Sequence, residues 1–247
     1  MKVEVVILAG GLGTRLRPFT ITVPKPLLPL SDRPIVEVVL EQLVADGFRN
    51  ACISLGYMAP LFQAFFGDGS RLGMSIRYVV EERPLGTAGA LTLVSDLADD
   101  FLVLNGDTLT DLSYAELLGE HRRSGAAATI FCHRVDEQVD YGVIEFDASS
   151  SLTNYSEKPI RSYYVSTGIY ALSRSALDLT KIGERLDMPD LLRSLKADGR
   201  VVNCFRQDGA YWKDIGRFDH YESASQDFQS SPERFLAKRH DRISSTE

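Results

Sequence analysis

Residues 7–26 read ILAGGLGTRLRPFTITVPKP, and this stretch continues an apolar strand that we predict over Val3–Leu8. The turn after the strand carries three glycines, Gly10, Gly11 and Gly13. A loop with so few side chains lets backbone N–H groups approach an anion. The cations Arg15 and Lys25 follow closely and can neutralise the charge that the N–H groups hold. The stretch therefore predicts a polyphosphate site in a protein that handles nucleotides.

Two common phosphate-binding motifs are absent from this loop. A dinucleotide fingerprint needs a third glycine, but Leu16 stands at that place when the motif is counted from Gly11 and Gly13. The P-loop string Gly-x-x-x-x-Gly-Lys-Ser/Thr occurs nowhere in the sequence. An NAD-dependent dehydrogenase and a P-loop enzyme are therefore disfavoured.

The composition is that of a globular protein with a net negative charge. The chain has 247 residues, of which 44% are hydrophobic and 25% are charged, so it can bury a substantial core. A net charge of −7 argues against a nucleic-acid partner. No apolar run approaches the ~20 residues of a membrane span, and the N-terminal run is short and ends in glycines. We therefore expect no membrane segment and no signal peptide.

The cysteines are widely spaced along the chain. Cys52, Cys132 and Cys204 each lie in an apolar, strand-like run and show no metal-site spacing. We predict reduced core residues of a cytoplasmic protein.

Short apolar runs alternate with helical patterns, which indicates βαβ units around a mostly parallel sheet. The predicted strands of the first half are Val3–Leu8, Ala51–Leu55, Ile76–Val80 and Phe101–Leu104, and its helices are Ile35–Asp46, Met58–Phe66, Thr87–Leu97 and Tyr114–Arg123. Strand-like runs at Ala126–Arg134, Tyr141–Phe146, Leu152–Tyr155 and Tyr164–Leu172 then predict a mixed β region. The last predicted elements are a helix at Pro189–Ala197, a strand at Arg200–Arg206 and a helix at Phe218–Phe228.

The string Leu-Ala-Gly-Gly-x-Gly-Thr-Arg-Leu, followed by Pro-Lys-Pro, resembles the signature of the sugar-1-phosphate nucleotidyltransferases, also called NDP-sugar pyrophosphorylases. The resemblance extends over about residues 3–228. It implies an α/β fold of the nucleotide-diphospho-sugar transferase type, with a Rossmann-like, mostly parallel sheet flanked by helices and a smaller mixed β acceptor region. It also implies that an NTP and a sugar 1-phosphate give an NDP-sugar and pyrophosphate, by in-line attack on the α-phosphorus.

The predicted organisation is one nucleotidyltransferase domain over residues 1–229. Within it we expect a nucleotide-binding part at 1–124 and a sugar-phosphate-binding part at 125–229. Residues 230–247 are predicted to form a loosely ordered tail. An exposed apolar helix face could support a homodimer.

Two aspartates from distant segments are candidate Mg²⁺ ligands. Asp107 lies in Leu-Asn-Gly-Asp-Thr at a strand end, and Asp214 lies in Trp-Lys-Asp-Ile-Gly before a helix. A shared Mg²⁺ would bridge phosphate oxygens and neutralise charge as pyrophosphate departs. Both strings resemble family motifs, although Arg217 and Phe218 stand where many relatives have Thr-Pro.

The resemblance implies catalytic roles for Arg15, Lys25 and Asp107. Arg15 would hold the β- and γ-phosphates and stabilise the leaving group, and Lys25 would bridge the α-phosphate and the incoming phosphate. The residues implied in nucleotide binding are Leu8, Ala9, Gly10, Gly11, Gly13, Thr14, Arg15, Glu81, Gly86, Thr87, Asn105 and Gly106.

Glu81 carries the prediction of the base. Leu-Gly-Thr-Ala at residues 85–88 resembles the family's base-reading segment, and uridylyl and thymidylyl members commonly carry glutamine where this chain has Glu81. An amide suits the edge of uracil or thymine, whereas a carboxylate only accepts and matches the N1–H and N2–H₂ donors of guanine. We therefore favour GTP. The resemblance to guanylyltransferases implies a mannose, heptose or hexosamine 1-phosphate, such as glucosamine 1-phosphate, as the acceptor.

Two alternatives stay open at this stage. One is a uridylyl- or thymidylyltransferase for glucose 1-phosphate or a related sugar. The other is a nucleotide-sugar-binding module that does not turn over.

The sugar-phosphate side is predicted from segments that resemble the family's acceptor site. Lys158 would pair with the sugar 1-phosphate, and Glu157 and Gly142 would contact hydroxyl groups. Tyr141 and Thr167 complete the predicted set.

Overall fold

The computed structural model describes residues 1–56, 58–207 and 209–236. Its strands are β1 Val3–Leu8, β2 Pro29–Leu30, β3 Arg33–Pro34, β4 Asn50–Leu55, β5 Ser75–Val80, β6 Leu97–Asn105, β7 Thr108–Thr110, β8 Ala128–Gln138, β9 Val143–Phe146, β10 Leu152–Ser156, β11 Ile160–Ser173, β12 Val202–Phe205 and β13 Trp212–Asp214. Its α-helices are α1 Ile35–Ala45, α2 Ala59–Phe66, α3 Gly86–Gly89, α4 Tyr114–Ser124, α5 Met188–Ala197, α6 Phe218–Ser230 and α7 Pro232–Leu236.

One seven-stranded sheet forms the centre of the fold, in the order β12-β8-β11-β6-β1-β4-β5. Neighbouring strands are parallel except where β11 pairs with β6 and with β8. Strand β1 reads VEVVIL and is buried along most of its length, as a strand covered on both faces must be. Small antiparallel pairs, β9 with β10 and β7 with β13, stand beside this sheet. The predicted α/β fold with a mostly parallel sheet is confirmed.

Helices cover both faces of the sheet. One buried cluster joins α1, α2 and α4 to the sheet, and a second joins α3 and α5 to its other face. A third cluster lies beneath the signature loop, where Leu16 and Leu28 meet Ile215 and residues of α6 and α7. The signature loop is therefore anchored to the C-terminal part of the described chain.

The strand register brings the predicted nucleotide segments to one edge of the sheet. Leu8 is paired with Ser54 of β4 and with Asn105 of β6, so these strands end together. The N–H of Gly106 donates to the carbonyl of Leu8 at 3.0 Å. The glycine loop and the Asn-Gly-Asp turn therefore meet at the carboxyl ends of the strands, where open α/β sheets bind ligands.

The predicted helix at Thr87–Leu97 is wrong over most of its length. Only Gly86–Gly89 is α-helical, a 3₁₀ turn follows at Ala90–Leu93, and Leu97 begins β6. A Cβ on Gly89 would lie 2.4 Å from the carbonyl oxygen of Glu184, so this helix is pressed against another segment of the chain. Tertiary packing overrides the helical spacing of the apolar residues here.

The prediction of a loosely ordered tail is wrong for residues 230–236, the part of the tail that the structure describes. Helix α6 extends to Ser230, and α7 places Phe235 against Phe228 and Tyr211, with only 4% of Phe235 exposed. Gln42 also donates to the carbonyl of Phe235 at 3.1 Å. Residues 237–247 of the predicted tail lie outside the described residues.

The cysteine prediction holds in part. All three lie on strands without a disulfide, and Cys52 is buried. Cys132 is half-buried, but Cys204 is exposed, so its assignment to the core is wrong: it lies on β12, the edge strand of the sheet. None of the helices in the described ranges has the length and apolar character that crossing a bilayer requires.

Candidate active site

Two glycines of the signature loop lie where a side chain would be crowded or would strain the backbone. A Cβ on Gly10 would lie 2.8 Å from Oε1 of Glu81. Gly13 has a φ of +58°, and a Cβ there would lie 2.9 Å from the methyl carbon of Thr20. The hydroxyl of Thr20 donates to the carbonyl of Gly13 at 2.8 Å and closes the loop. The loop therefore keeps a surface of backbone groups free of side chains.

A cavity of about 230 Å³ lies over this loop. It brings together most of the residues expected to hold the triphosphate. Its lining is Leu8, Ala9, Gly11, Gly13, Thr14, Arg15, Lys25, Pro26 and Asp107.

Lys25 joins the two predicted metal ligands. Its side chain is buried, and Nζ donates to a carboxylate oxygen of Asp107. The same nitrogen lies 3.8 Å from Oδ1 of Asp214. A buried ammonium requires such partners, because an unpaired charge out of water is costly.

Two backbone links explain why Asp107 and Asp214 meet. Asp214 pairs with Thr108 in the β13–β7 ladder, and the N–H of Ile215 donates to the carbonyl of Asp107 at 3.0 Å. Both carboxylates thus approach Lys25 from segments that are a hundred residues apart in sequence.

Arg15 lies beside the Asp214 segment. A Cβ on Gly216 would lie 3.1 Å from Nη2 of Arg15, so glycine leaves the room that the guanidinium occupies. Arg15 is exposed, and it makes no hydrogen bond or ion pair with any residue in the described ranges. Its charge is available to an anion in the cavity.

The donor set at this edge fits a Mg²⁺ ion. Asp107 and Asp214 offer hard carboxylate oxygens; both side chains are partly exposed, and Asp107 lines the cavity. Within the described ranges no group of three or more acidic, histidine or cysteine side chains forms a complete cage. Mg²⁺ commonly uses one or two carboxylates together with substrate phosphates, which is the donor set that these residues could complete.

A second cavity of about 270 Å³ adjoins the first and shares Leu8, Gly11 and Asp107 with it. Its other lining residues are Gly10, Glu81, Pro84, Gly86, Thr87, Ala90 and Asn105. The structure thus brings the predicted base-reading segment beside the predicted phosphate site.

Glu81 is held in a fixed position in this second cavity. Its Oε1 accepts from the hydroxyl of Ser54 at 3.1 Å, and its Oε2 accepts from the N–H of Leu85 at 2.9 Å. A carboxylate oxygen has two lone pairs. Each oxygen of Glu81 therefore keeps one lone pair for a further donor.

The segment before α5 supports the base-reading turn. Leu186 accepts from the N–H groups of Ala88 and Gly89, each at 2.9 Å, and its own N–H donates to the carbonyl of Leu85 at 2.8 Å. Asp187 packs over Gly86, where a Cβ would lie 2.5 Å from its Oδ1. Sequence reasoning missed this support. An aspartate before Met-Pro-Asp signals a helix start, but nothing in the sequence indicates what that start packs against.

The predicted acceptor residues gather beside the β9–β10 pair. A Cβ on Gly142 would lie 2.3 Å from the hydroxyl oxygen of Tyr155 and 3.1 Å from Oε2 of Glu157. The Tyr155 hydroxyl donates to that glutamate oxygen at 3.0 Å. Tyr155, which sequence reasoning missed, therefore links two of the predicted residues.

Lys158 and Tyr141 are both exposed. Tyr141 is 78% exposed, and Lys158 has a φ of +43°, in the left-handed region that non-glycine residues seldom adopt. The ammonium of Lys158 forms no ion pair with a residue that the structure describes. A strained backbone that presents a free cation is typical of a functional position.

Thr167 is placed differently from the other predicted acceptor residues. Its side chain is buried, and its hydroxyl donates to the carbonyl of Phe131 at 2.7 Å. Its carbonyl accepts from Nε1 of Trp212 at 3.1 Å. The hydroxyl is turned into the fold, and Thr167 ties the Asp214 segment to β11. The neighbouring Gly168, at φ +78°, lies under the amide of Asn105.

The thiols of Cys52 and Cys132 are not poised for nucleophilic chemistry. Burial raises the pKa of the Cys52 thiol to about 11. Burial, together with a hydrogen bond to Cys204, raises the pKa of the Cys132 thiol to about 12. Both stay protonated near neutral pH, whereas a thiolate would be needed for attack.

The sequence model of one family, described as "Nucleotidyl transferase", matches residues 4–231. The chain is 33% identical over 231 residues to "Mannose-1-phosphate guanylyltransferase" of Mycobacterium tuberculosis, covering 92% of this chain and 64% of that protein. It is also 33% identical over 241 residues to "UTP--glucose-1-phosphate uridylyltransferase" of Synechocystis sp., covering 90% and 62%. The chain thus spans less than two thirds of the length of these relatives.

Two solved structures are similar to this chain in fold. The chain matches HddC from Yersinia pseudotuberculosis with a TM-score of 0.71 and 28% identity, over 92% of this chain and 99% of that one. A structure of HddC described as complexed with GMP-PN matches with a TM-score of 0.70 and 27% identity, over the same shares of both chains.

Proposed function

This chain belongs to the nucleotidyl transferase family, and on that premise we propose that it joins GTP and a sugar 1-phosphate into a GDP-sugar with release of pyrophosphate. The favoured acceptors are mannose, heptose or hexosamine 1-phosphates. Similarity to a mannose-1-phosphate guanylyltransferase and to HddC, one structure of which is described with GMP-PN, supports this choice. We expect the reaction to take place in the cytoplasm.

Glu81 is the observation that carries the choice of base. Its carboxylate lies in the cavity next to the phosphate site, and each oxygen keeps one unused lone pair. Guanine presents two adjacent donors, N1–H and N2–H₂, which such a carboxylate can accept together. Uracil and thymine present an acceptor beside their single donor and would leave one glutamate oxygen facing a carbonyl.

The chemistry requires positioning and charge neutralisation rather than a protein nucleophile, because the incoming phosphate is already an anion. Arg15 would hold the β- and γ-phosphates over the backbone N–H groups of the signature loop. Lys25, already buried between two carboxylates, would meet the negative charge that grows around the α-phosphorus. Lys158 would hold the sugar 1-phosphate in line for attack.

Asp107 and Asp214 would hold a Mg²⁺ ion. When bound, the ion supplies charge neutralisation at phosphate oxygens. The two carboxylates would also keep Lys25 oriented, since its ammonium already contacts one of them and lies close to the other.

Pyrophosphate release with GTP, ATP, CTP, UTP and dTTP, each against mannose, heptose, glucosamine and glucose 1-phosphates, tests this proposal. We expect the highest kcat/KM with GTP. A preference for UTP or dTTP would favour the uridylyl or thymidylyl alternative. Measurable nucleotide binding without pyrophosphate release in any combination would favour the binding module.

Glu81→Gln is the matched variant. Its amide loses one acceptor, so the ratio of kcat/KM for GTP to that for UTP should fall by about tenfold or more. Glu82→Gln is the control, because Glu82 is the exposed neighbour and does not line that cavity. An unchanged ratio in Glu81→Gln would remove Glu81 from base reading.

A further inference from the structure

Two exposed aromatic rings stack between the signature loop and the start of α6, and none of the roles described above uses them. The rings of Phe19 and Phe218 have centroids 5.8 Å apart and planes 12° apart. Phe19 lies in the signature loop, four residues after Arg15. Phe218 is the first residue of α6, four residues after Asp214.

Within the signature loop, the hydrogen bond from Thr20 to Gly13 holds the turn itself together. The loop's short 3₁₀ turns, Thr14–Leu16 and Phe19–Ile21, have no side-chain caps. The loop is attached from within by Leu16, which packs in the same buried cluster as Ile215. The aromatic stack is a second attachment to the same segment of the chain, made on the surface.

Arg15 immediately precedes Leu16 in the signature loop. Its guanidinium is next to Gly216, but no polar contact with a described residue fixes it there. The position of Arg15 therefore depends on how firmly the loop is held against residues 214–218. The stack on Phe218 adds an attachment on the surface to the buried one at Leu16.

We propose that Phe218 is a positioning residue for Arg15, acting through its stack on Phe19. The stack holds the signature loop so that the guanidinium remains over the phosphate cavity before the nucleotide arrives. This inference rests on the proposed function, since it assigns to the stack the orientation of the group that would stabilise the leaving pyrophosphate. Arg15 would contact the nucleotide phosphates, and Phe218 would act on it from outside the site.

The test is a double-mutant cycle on Phe19→Ala and Phe218→Ala. Offset aromatic pairs contribute modestly beyond their buried area, so each single variant should lower kcat/KM for the nucleotide by about three- to tenfold. The double variant should lose no more than about the larger single loss, because both changes remove one contact. The KM for the sugar 1-phosphate should stay unchanged, since its phosphate is assigned to Lys158.

Two further variants and the melting temperature distinguish a positioning role of the stack from general destabilisation of the protein. Phe218→Tyr keeps the ring and should retain the wild-type kcat/KM. Phe65→Ala is the matched control, because Phe65 is 51% exposed, as Phe19 is, and lines neither cavity of the site. The melting temperature should change little in every variant, because Phe19 and Phe218 are 51% and 52% exposed.

Wild-type kinetics in Phe218→Ala, or losses that multiply in the double variant, would overturn the inference. A fall in melting temperature that accounts for the lost activity would do the same. If the wild-type chain releases no pyrophosphate with any substrate pair, the proposed function fails. In that case, calorimetry of GTP binding to the same variants tests the role of the stack. We then expect weaker GTP binding in Phe218→Ala and unchanged binding in Phe65→Ala.

Discussion

The side chains of Thr87 and Asp187 cap each other's helices across a hundred residues of sequence. The Thr87 hydroxyl accepts the N–H of Met188, the first residue of α5, at 2.7 Å. Oδ1 of Asp187 lies 3.4 Å from the N–H of Thr87, in the first turn of α3. These contacts hold the base-reading turn against the start of α5. A residue predicted to touch the nucleotide therefore also holds the fold together.

We expect Thr87→Val to destabilise the protein by about 1 kcal/mol, because the N–H of Met188 loses its acceptor. The same change should raise the KM for the nucleotide, since the base-reading turn loses an attachment. Urea denaturation and steady-state kinetics measure the two effects. Thr87→Ser keeps the hydroxyl and is the matched control. Equal stability of the valine and serine variants would show that the cap contributes nothing.

Lys25→Ala should lower kcat by about a hundredfold or more and change nucleotide affinity much less, because the charge it would meet grows only in the transition state. Kinetics give kcat, and calorimetry gives the affinity for GTP. Lys181→Ala is the control, since Lys181 is exposed and, among the residues that the structure describes, forms an ion pair with Glu184 alone, at 3.3 Å. Near-normal turnover in Lys25→Ala would contradict the assigned role.

Gly142→Ala should raise the KM for the sugar 1-phosphate and leave the KM for the nucleotide unchanged. The added methyl group would lie 2.3 Å from the Tyr155 hydroxyl oxygen, so the Tyr155–Glu157 pair must move. Steady-state kinetics with each substrate varied in turn measure both constants. Gly119→Ala, on helix α4 with a nearest contact at 3.4 Å, is the matched substitution and should leave both KM values unchanged. A rise in the nucleotide KM alone would place Gly142 elsewhere in the site.

His121 should make the protein less stable in mild acid. It is buried, and burial lowers the pKa of its imidazole below the ordinary value of 6.5, although Asp100 opposes the shift. Below pH 6.5 the unfolded chain binds a proton here that the folded chain resists. The free energy of unfolding therefore rises with pH between the folded and unfolded pKa values of His121. This group contributes a slope of at most about 1.4 kcal/mol per pH unit. Above pH 6.5 the imidazole is neutral in both states, and His121 adds no further pH dependence.

Urea denaturation between pH 5 and 8 measures this dependence. His121→Asn should lower stability throughout, because contacts to Thr129 and Ser173 are lost, and should flatten the acid slope. His220→Asn is the control, since His220 is exposed. An acid slope in His121→Asn as steep as in the wild type would assign the dependence to other groups.

Local patterns predicted the parts of the fold that depend on short-range order. The strand at Val3–Leu8 and the helix starting at Ile35 follow from apolar spacing that agrees with their burial. The Thr87–Leu97 prediction failed because the backbone of this segment bonds to Leu186, a partner that spacing within eleven residues cannot reveal. The tail prediction failed at Phe235, where polar neighbours concealed an aromatic residue that completes a buried cluster.

Arg15, Lys25, Asp107 and Asp214 could be picked out from motifs, because their side chains suit the proposed phosphate and Mg²⁺ chemistry. The motifs could not show that these residues lie close together, because the β13–β7 ladder joins residues about a hundred positions apart. Tertiary structure alone decided that Lys25 contacts Asp107 and that Phe218 stacks on Phe19. It also decided that Thr167 turns its hydroxyl into the core. Each of these three contacts depends on packing between distant segments, which results from many weak interactions across the fold. A motif, in contrast, shows only which chemical groups one segment carries.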